Sequence, residues 1–366
     1  MTTHEIAEFL NRDLPEFYRK EIREEREAAL LPKEVPSVLL VGGAGYIGSV
    51  LARHLLEAGY RVKCLDNLLY NNRSAISALI SNPNFQFVEG DFTDAEVFKS
   101  ALENSRFVVL LAGLVGDPIT KKYPEASKQI NEDGMRQAIE LLNGRNLRKV
   151  VFISTCSNYG MIEENMAADE NFALKPLSLY AHAKVEAEKH ILSLKGKVDY
   201  HPTLLRFATA FGLSPRMRFD LTVSEFTQEI FCERPLSVYD GATWRPYCHV
   251  QDFALVIRRV LEALAKRVSF EVFNAGGDKN NFTKDMIVRE LRSFFPQSKI
   301  NSLGEGADRR NYKVSFEKIK TRLFFEPRFS VRDGIQELVE ALKQGQFSDV
   351  DQNKGFYGNY TINYKR

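Results

Sequence analysis

The sequence predicts an α/β fold, a doubly wound parallel sheet joined to a smaller α+β region toward the carboxyl end. Between Ser37 and Ser154, short apolar runs alternate with amphipathic segments, the chain order of strands joined by helices. The runs are apolar on both faces, as strands covered by helices on both sides must be. A glycine-rich segment follows the first run directly. Right-handed crossovers between parallel strands then determine most of the topology.

Each element is predicted from its own local pattern. Strands are expected at Ser37–Val41, Arg61–Leu65, Phe85–Glu89, Phe107–Leu111 and Val150–Ser154, and helices at Ser49–Ala58 and Lys128–Leu142. A late strand at about residues 270–274 is expected to return to the sheet. Two aromatic, arginine-rich segments without periodicity, Leu213–Leu221 and Trp244–Val250, are predicted as loops that cover the carboxyl edge of the sheet.

Composition argues against several classes of protein. The 366 residues carry 50 basic and 48 acidic side chains, which gives no electrostatic basis for nucleic acid or an anionic membrane as the main partner. The four cysteines lie far apart without a CxxC pair, so neither a metal site nor a disulfide framework is expected. No stretch approaches the roughly 20 apolar residues of a membrane span. The segment Met1–Leu30 lacks the core of a signal peptide, and we therefore expect a cytoplasmic protein.

A dinucleotide site is predicted where the first strand enters the next helix. Gly42, Gly45 and Gly48 form a GxxGxxG pattern that encloses Tyr46 and Ile47. Glycines allow a tight turn and the close approach of a diphosphate, whose charge is then held by the free N–H groups of the helix. The pattern alone is weak, but a strand before it, a helix after it and an acid at the end of the second strand provide the required context.

That acid is Asp66, which is expected to accept hydrogen bonds from the adenosine ribose and to repel a 2′-phosphate, so NAD is favoured over NADP. An ordinary turn is the competing interpretation, and nearby arginines leave NADP open. Other candidate cofactor contacts follow the second, third and fourth strands: Asn67, Asp91, Phe92, Leu111, Ala112 and Gly113. Asp91 also suits an ordinary loop.

A catalytic pair is predicted on a later helix. Tyr180 and Lys184 stand four residues apart, so both project from one helix face. A nearby ammonium and a positively charged nicotinamide both favour tyrosinate, which would let Tyr180 take a proton from a sugar hydroxyl. YxxxK alone is common by chance on solvated helix faces. The fifth strand adds a hydroxyl-rich run, Ser154–Gly160, at the edge where such sheets bind ligands. A helix cap is the alternative for one of these hydroxyls.

Together these motifs resemble the extended short-chain dehydrogenase/reductase family, in its NAD-dependent nucleotide-sugar epimerase and dehydratase branch, from about Val38 to about Leu342. The resemblance implies a nucleotide-sugar substrate and a homodimer joined through the helices that hold Asn131 and Tyr180. It implies that Thr155 is the catalytic hydroxyl, Tyr180 the acid/base and Lys184 the anchor of the cofactor ribose. Asn131 matches a helix residue that shapes the active site beside the cofactor.

The second half carries two further resemblances. Leu205–Gly212 is similar to an LRxxxxxG element, which places Thr209 against the sugar nucleotide. Trp244–Asp252 is similar to an RxYxHVxD element, which places Arg245 on the substrate diphosphate, where a guanidinium binds two phosphate oxygens. Arg216 and Arg218 are further candidates for binding the substrate diphosphate. Asp308-Arg309-Arg310 resembles a late basic element, in which either arginine could also be a surface residue.

The predicted organisation therefore has four segments. Residues 1–35 form a helical extension in which Pro15 separates two helices; it is docked on the domain or on a sister subunit, or it is reserved for another partner. Residues 36–211 form an NAD-binding Rossmann domain, residues 212–344 a substrate-binding region, and residues 345–366 an extended tail without a functional interpretation.

The chain departs from the family pattern at two positions that bear on its chemistry. The family's 4,6-dehydratases carry Asp-Glu after the catalytic hydroxyl and use this pair to eliminate water. Here Cys156 and Ser157 stand instead, and neither is an acid or base near neutral pH. Both are predicted to line the substrate pocket. We therefore expect an epimerase acting at the sugar C4, with a net 4-reductase or dehydrogenase, a less favoured 4,6-dehydratase and a non-catalytic NAD-responsive scaffold as alternatives.

Overall fold

The structure, a computed structural model, describes residues 13–29, 35–163, 166–304, 306 and 310–364. In chain order the strands are β1 (Ser37–Val41), β2 (Arg61–Asp66), β3 (Phe85–Glu89), β4 (Phe107–Leu110), β5 (Lys149–Thr155), β6 (Ala167–Ala168), β7 (His201–Phe207), β8 (Thr209–Phe211), β9 (Leu236–Val238), β10 (Trp244–His249), β11 (Glu271–Ala275), β12 (Asn281–Thr283), β13 (Ile300–Ser302) and β14 (Lys313–Val314).

In chain order the helices are α1 (Glu16–Ala29), α2 (Tyr46–Glu57), α3 (Ala95–Leu102), α4 (Asp117–Lys122), α5 (Pro124–Ser127), α6 (Met135–Leu141), α7 (Leu179–Ser193), α8 (Thr222–Phe231), α9 (Val250–Glu262), α10 (Ala265–Val268), α11 (Lys284–Phe294), α12 (Glu317–Leu323) and α13 (Val331–Lys343). Tighter 3-10 turns lie at Asn72–Leu79, Cys156–Tyr159 and Asp278–Asn280, and a π-helical segment lies at Lys128–Gly134.

A seven-stranded sheet in the order β11-β7-β5-β4-β1-β2-β3 forms the centre of the molecule. Every neighbouring pair in it is parallel, which confirms the doubly wound parallel sheet. The chain runs outward from β1 through β2 and β3 and then returns to β4 on the other side of β1. This reversal opens a crevice at the carboxyl ends of β1 and β4, where such sheets bind their ligands.

The core lies in two layers, one on each face of the sheet. Val38 and Leu40 pack with residues of α2 and α9 on one face, whereas Leu39 and Val41 pack with residues of α3, α6 and α7 on the other. Successive side chains of a strand point to opposite faces, so a strand covered on both sides is apolar throughout. This is the physical reason for the continuous apolar runs in the sequence.

One local prediction is wrong, and one predicted helix is confirmed with a different start. Trp244–Val250 was expected to be a loop, but Trp244–His249 is strand β10, paired parallel with β8 and antiparallel with β12. Its residues from Arg245 onward are all buried, so it has no alternation of polar and apolar side chains to reveal a strand. The helix predicted at Lys128–Leu142 begins with the π-helical segment, where Gly134 packs so closely on Thr93 that a Cβ would lie 2.3 Å from its methyl group.

The second half of the chain contributes to both cores. Helices α8, α11 and α13 enclose a smaller core with residues of β9 and β10. Helix α9 packs on the large sheet, and β11 pairs with β7 at its edge, as expected for the late strand near residues 270–274. The boundary at 211/212 stays a prediction.

Both ends of the described chain pack on the domain. Helix α1 starts just after Pro15, and Leu14, Tyr18 and Ile22 pack against Phe324; the first predicted helix lies outside the described residues. The carboxyl tail is not extended through its described part. Its residues form a series of turns, in which the rings of Phe347 and Tyr357 pack around Phe219.

Among the described residues, no helix is long and apolar enough to cross a bilayer. In the same residues, no group of three or more His, Cys, Asp or Glu side chains is placed to hold a metal ion.

Candidate active site

A cavity of about 640 Å³ opens at the carboxyl ends of the central strands. One half of it is built from the β1–α2 loop and the ends of β2 and β4. The other half is built from β8, β10, the loop before α8 and the segment just before β14. The ends of β5 and the first turns of α7 lie between the two halves. Groups bound in the two halves of the cavity would therefore meet at the end of β5 and the start of α7.

The glycine loop leaves room for a ligand backbone in the first half. At Gly42, whose φ is +86°, a Cβ would lie 2.8 Å from the Cα of Ala112, and at Gly48 it would lie 2.5 Å from the carbonyl oxygen of Gly42. Both positions therefore require glycine. Helix α2 has Gly45 as its N-cap and no side-chain cap, so its first N–H groups are available to an anion. Tyr46 and Ile47 line the same wall.

Asp66 ends β2 beside this loop. Its carboxylate accepts hydrogen bonds from the backbone N–H groups of Ala44, at 3.0 Å, and Leu68, at 2.9 Å. Burial raises the pKa of this carboxyl, and the backbone N–H groups oppose the rise. Asp66 therefore ties the glycine loop to the end of β2 and faces the cavity, as an acid that recognises a ribose should.

The remaining predicted cofactor contacts divide into two groups. Asn67, Phe92, Leu111, Ala112 and Gly113 line the cavity. Asp91 stands behind it, where it accepts hydrogen bonds from the Asn67 side chain at 3.3 Å and the Thr93 backbone at 2.8 Å. Asn131 also lies behind the lining. Its side chain bonds both the N–H and the carbonyl of Leu114, at 2.8 and 2.9 Å, so it holds the loop after β4 and supports the cavity from outside.

The structure brings the three predicted catalytic residues to one place. Thr155 ends β5, Tyr180 and Lys184 lie on the first turns of α7, and all three line the cavity. The Lys184 ammonium donates to the carbonyl of Ile153 at 2.7 Å and lies 5.9 Å from the centre of the Tyr180 ring. Ser178 caps α7 by accepting from the N–H of Ala181 at 3.2 Å, which fixes the start of the helix and the direction of Tyr180.

Burial disfavours the charged form of both Tyr180 and Lys184, and neighbouring charges partly oppose it. Burial lowers the pKa of Lys184 to about 8, with Glu188 acting in the opposite direction. Burial and the Asp117 carboxylate raise the pKa of the Tyr180 phenol, against Arg218 and Arg310. The phenol is therefore neutral at pH 7 before a cationic ligand arrives. It is a proton donor in that state, and added positive charge beside it would favour tyrosinate.

The two residues after Thr155 point in different directions. Cys156 is 1% exposed and donates from Sγ to the carbonyl of Arg206 at 3.2 Å, and burial raises the pKa of its thiol well above the ordinary value. It packs in the core and does not line the cavity, which corrects the prediction of a pocket wall. The 3-10 turn at this point directs only Ser157 inward, where its hydroxyl lies 3.2 Å from that of Tyr312.

The second half of the cavity is rich in arginine. Its lining includes Thr209, Arg218, Arg245 and Arg310, whereas Arg216 lies where the two halves meet, over the Tyr70 ring. Arg218 is paired with Asp220, its Nε lying 2.9 Å from Oδ1, and Arg310 is paired with Asp117 at 2.9 Å. Arg245 lies over the ring of Tyr312 at 5.0 Å. Such a cluster is suited to the phosphates of a second ligand. The predicted Asp308 and Arg309 lie outside the described residues.

Sequence reasoning missed many residues that line the cavity, and four polar ones among them bear on its chemistry. Asp117 and Tyr312 lie beside the catalytic residues, and Asn359 and Tyr360 come from the carboxyl tail. Asp117 follows a glycine-containing loop at the end of β4, and its position after a strand end was a usable signal. No motif marks Asn359 or Tyr360.

Comparisons with known proteins agree with this geometry. The family described as the NAD dependent epimerase/dehydratase family matches residues 38–276. A UDP-glucuronate 4-epimerase of Thermodesulfobacterium geofontis is 27% identical over 320 residues, which cover 84% of this chain and 96% of that protein.

Two solved structures are similar to this chain over most of its length. UDP-glucuronic acid 4-epimerase from Bacillus cereus, in complex with UDP-glucuronic acid and NAD, is 25% identical with a TM-score of 0.76, covering 84% of this chain and 99% of that chain. dTDP-glucose 4,6-dehydratase from Bacillus anthracis, in complex with NAD, is 25% identical with a TM-score of 0.74, covering 85% and 98%. These relatives perform two different reactions, so similarity alone leaves the reaction of this chain open.

Proposed function

The chain belongs to the NAD dependent epimerase/dehydratase family, and from that premise we propose that it is a nucleotide-sugar 4-epimerase. It is an NAD-dependent enzyme of the extended short-chain dehydrogenase type. The observation that carries the proposal is the meeting of Thr155, Tyr180 and Lys184 in the cavity, at a strand end followed by Cys156 and Ser157.

The residues present fit NAD. A Cβ at Gly42 or Gly48 would collide with neighbouring backbone, the first turn of α2 has no side-chain cap, and Asp66 faces the cavity. These residues would hold the diphosphate and the adenosine ribose, and Lys184 the nicotinamide ribose. When bound, NAD supplies a hydride acceptor for the sugar C4 and a positive charge beside Tyr180.

The chain's own residues move the proton. Tyr180 takes the proton from the C4 hydroxyl as that carbon is oxidised and returns it to the C4 oxygen as the carbon is reduced. The Lys184 ammonium, 5.9 Å from the ring centre, favours the tyrosinate that accepts this proton in the first step. Thr155 offers its hydroxyl to the same oxygen. One acid/base residue is enough, because the proton leaves and returns at one atom.

Elimination of water would require more. A 4,6-dehydration needs an acid and a base at neighbouring carbons, and the positions that supply them in the family's dehydratases are here a buried thiol and a hydroxyl. Two carboxylates of the lining, Asp117 and Asp220, are each paired with an arginine. This arrangement supports oxidation and reduction at one carbon over dehydration.

The substrate is proposed to be a nucleotide diphosphate sugar. Arg245 and Arg310 line the half of the cavity beyond Tyr180, with Thr209 beside them. Guanidinium groups bind the paired oxygens of phosphates in two-point contacts. We assign Arg245 to the diphosphate and Thr209 and Ser157 to the sugar.

The test is conversion of a substrate panel. The purified enzyme is incubated with UDP-, GDP-, CDP- and dTDP-hexoses, and the products are separated and identified by NMR. The proposal predicts the C4 epimer of one member, without net formation or consumption of NADH. Net NAD(H) turnover would favour a reductase or dehydrogenase, and a 4-keto-6-deoxy sugar would establish a dehydratase.

Tyr180→Phe supplies the residue-level test. It should lower kcat about 10²–10⁴-fold, the range that general acid–base groups contribute, while NAD stays bound. The control is Tyr200→Phe, because the Tyr200 hydroxyl is buried without a hydrogen-bond partner among the described residues and lies in the core away from the cavity. Unchanged turnover in Tyr180→Phe would instead support the scaffold alternative.

We further propose a homodimer joined through the helices that carry Asn131 and Tyr180. Leu179 and Leu192 on α7 are 47% and 36% exposed, and a partner helix would cover such side chains. The mass in solution, measured by light scattering after gel filtration, should be twice the chain mass of 41.8 kDa.

A further inference from the structure

The carboxyl tail crosses the cavity on its dinucleotide side. Before the crossing, the Tyr357 carbonyl accepts from the N–H of Phe219 at 2.7 Å. After it, the Tyr364 hydroxyl lies 3.2 Å from that of Thr93, a residue of the loop after β3. Between these two anchors, Asn359 and Tyr360 line the cavity. The tail therefore passes over the carboxyl ends of the strands that build the dinucleotide half.

Asn359 joins the two walls of the cavity. Its side-chain N–H donates to the carbonyl of Val115 at 2.9 Å, on the loop after β4. Its backbone N–H donates to Asp220 at 3.1 Å, and its side-chain oxygen accepts from Arg216 at 2.9 Å, both on the loop after β8. Asn359 is 9% exposed, so these are well-shielded hydrogen bonds. Asn359 thus links the loop after β4 to the loop after β8 through three hydrogen bonds.

Arg216 is the member of this group that points to a ligand. It is 2% exposed and lines the cavity, it lies over the Tyr70 ring at 4.7 Å, and no carboxylate of the described residues lies within ion-pairing distance, 4.0 Å, of it. Burial and the neighbouring Arg218 lower the pKa of its guanidinium to about 10, with Asp220, Tyr70 and Asp66 acting in the opposite direction. A buried cation without a direct ion pair is costly, and an anion entering the cavity would lower that cost.

We propose that the tail completes the dinucleotide site, with Asn359 as the positioning residue that holds Arg216 toward the diphosphate of bound NAD and closes the tail over it. Tyr70 and Asp66 line the cavity on this side, which favours the diphosphate of the dinucleotide over that of the sugar nucleotide. The inference deepens the proposed epimerase, because a cofactor that is recycled within each turnover has to stay bound. It rests on the family's NAD dependence and not on the identity of the sugar.

The test measures release of NAD from the purified holoenzyme without any sugar. The protein is mixed with excess adenine-labelled NAD, and incorporation of label is followed by rapid gel filtration. Asn359→Ala should release NAD about tenfold faster than the wild type, the effect of losing hydrogen bonds that hold a charged group. Tyr357→Phe is the matched control. It removes a tail hydrogen bond to Asp349, at 2.7 Å, outside the cavity, and should exchange at the wild-type rate.

Exchange by Asn359→Ala at the wild-type rate would overturn the proposal, even if its melting temperature fell, because a merely structural residue would change only the melting temperature. Should Asn359→Ala not fold, Asn359→Ser is tested in its place. This variant keeps a hydroxyl acceptor for Arg216 and loses the bond to Val115, so it should still exchange NAD a few-fold faster than the wild type.

A second arm titrates UDP into each holoenzyme. Weakened UDP binding with unchanged NAD exchange would place the tail on the sugar nucleotide and refute the assignment to NAD. The NAD-exchange and UDP-binding results would test the role of the tail even if the protein were shown not to be an epimerase.

Discussion

Replacing Lys184 by Met should stabilise the protein at pH 7 while removing most of its activity. Lys184 is 5% exposed, and a pKa lowered from 10.5 to about 8 corresponds to about 3 kcal/mol for keeping the buried ammonium charged. Met has a similar length and no charge. The replacement also leaves the carbonyl of Ile153 without the hydrogen bond that Lys184 donates at 2.7 Å, which costs about 1–2 kcal/mol. The net expectation is a gain of about 1–2 kcal/mol at pH 7.

The sign of this difference should reverse at high pH. Below about pH 8 the folded and unfolded states both hold the proton, so the cost of the buried charge is complete. Between about pH 8 and 10.5 the folded state has lost the proton that the unfolded state still binds, so wild-type stability rises with pH. Near pH 10.5 only the hydrogen bond remains, and the wild type should be more stable by about 1–2 kcal/mol.

The assay is urea unfolding of wild type and Lys184→Met at pH 7 and pH 10, on protein stripped of NAD so that ligand binding does not add to stability. Turnover should fall at least about 10²-fold in the same variant. A variant that is less stable at pH 7, or a stability difference that does not change between the two pH values, would refute the reasoning.

Three further changes test other parts of the structure. Asp66→Asn removes the carboxylate at the end of β2 and should raise the Kd of NAD at least about tenfold while reducing the preference for NAD over NADP; equal titration curves would contradict this role. Arg206→Met leaves Glu188 buried without its cation, 2.7 Å away in the wild type, and should cost about 3–5 kcal/mol in urea unfolding; a loss below about 1 kcal/mol would contradict it. Ser330→Ala removes the capping box of α13 and should cost about 1 kcal/mol without changing NAD release; a stability unchanged within error would show that the cap contributes little.

The features that could be predicted from the sequence are those determined by neighbours in the chain. Gly42 and Gly48 follow a strand and open a helix, and Asp66 ends the next strand, so their meeting at one sheet edge follows from parallel topology alone. Tyr180 and Lys184 are four residues apart on one helix. The order of strands placed the hydroxyl-rich run after β5 at the same edge, whereas Thr155 was singled out by the resemblance to the family.

The features that could not be predicted depend on distant contacts or on a local turn. Asn359 meets Val115 and Arg216 across separations of 244 and 143 residues, and nothing in the tail's composition marks this contact. Cys156 was assigned to the pocket because the direction of each side chain in a 3-10 turn cannot be read from a hydroxyl-rich run. Strand β10 was missed because it is buried on both faces and lacks alternation.

The measurement that tests the central claim most directly follows a deuterium label at the sugar C4. The nucleotide sugar that the enzyme converts is prepared with deuterium on that carbon, and the epimer is analysed by mass spectrometry and NMR. Hydride transfer out and back at one carbon predicts that the epimer keeps its deuterium at C4, with no net NADH. Loss of the label to solvent, or its accumulation in released NADH, would contradict reversible oxidation at C4 as the reaction of this protein.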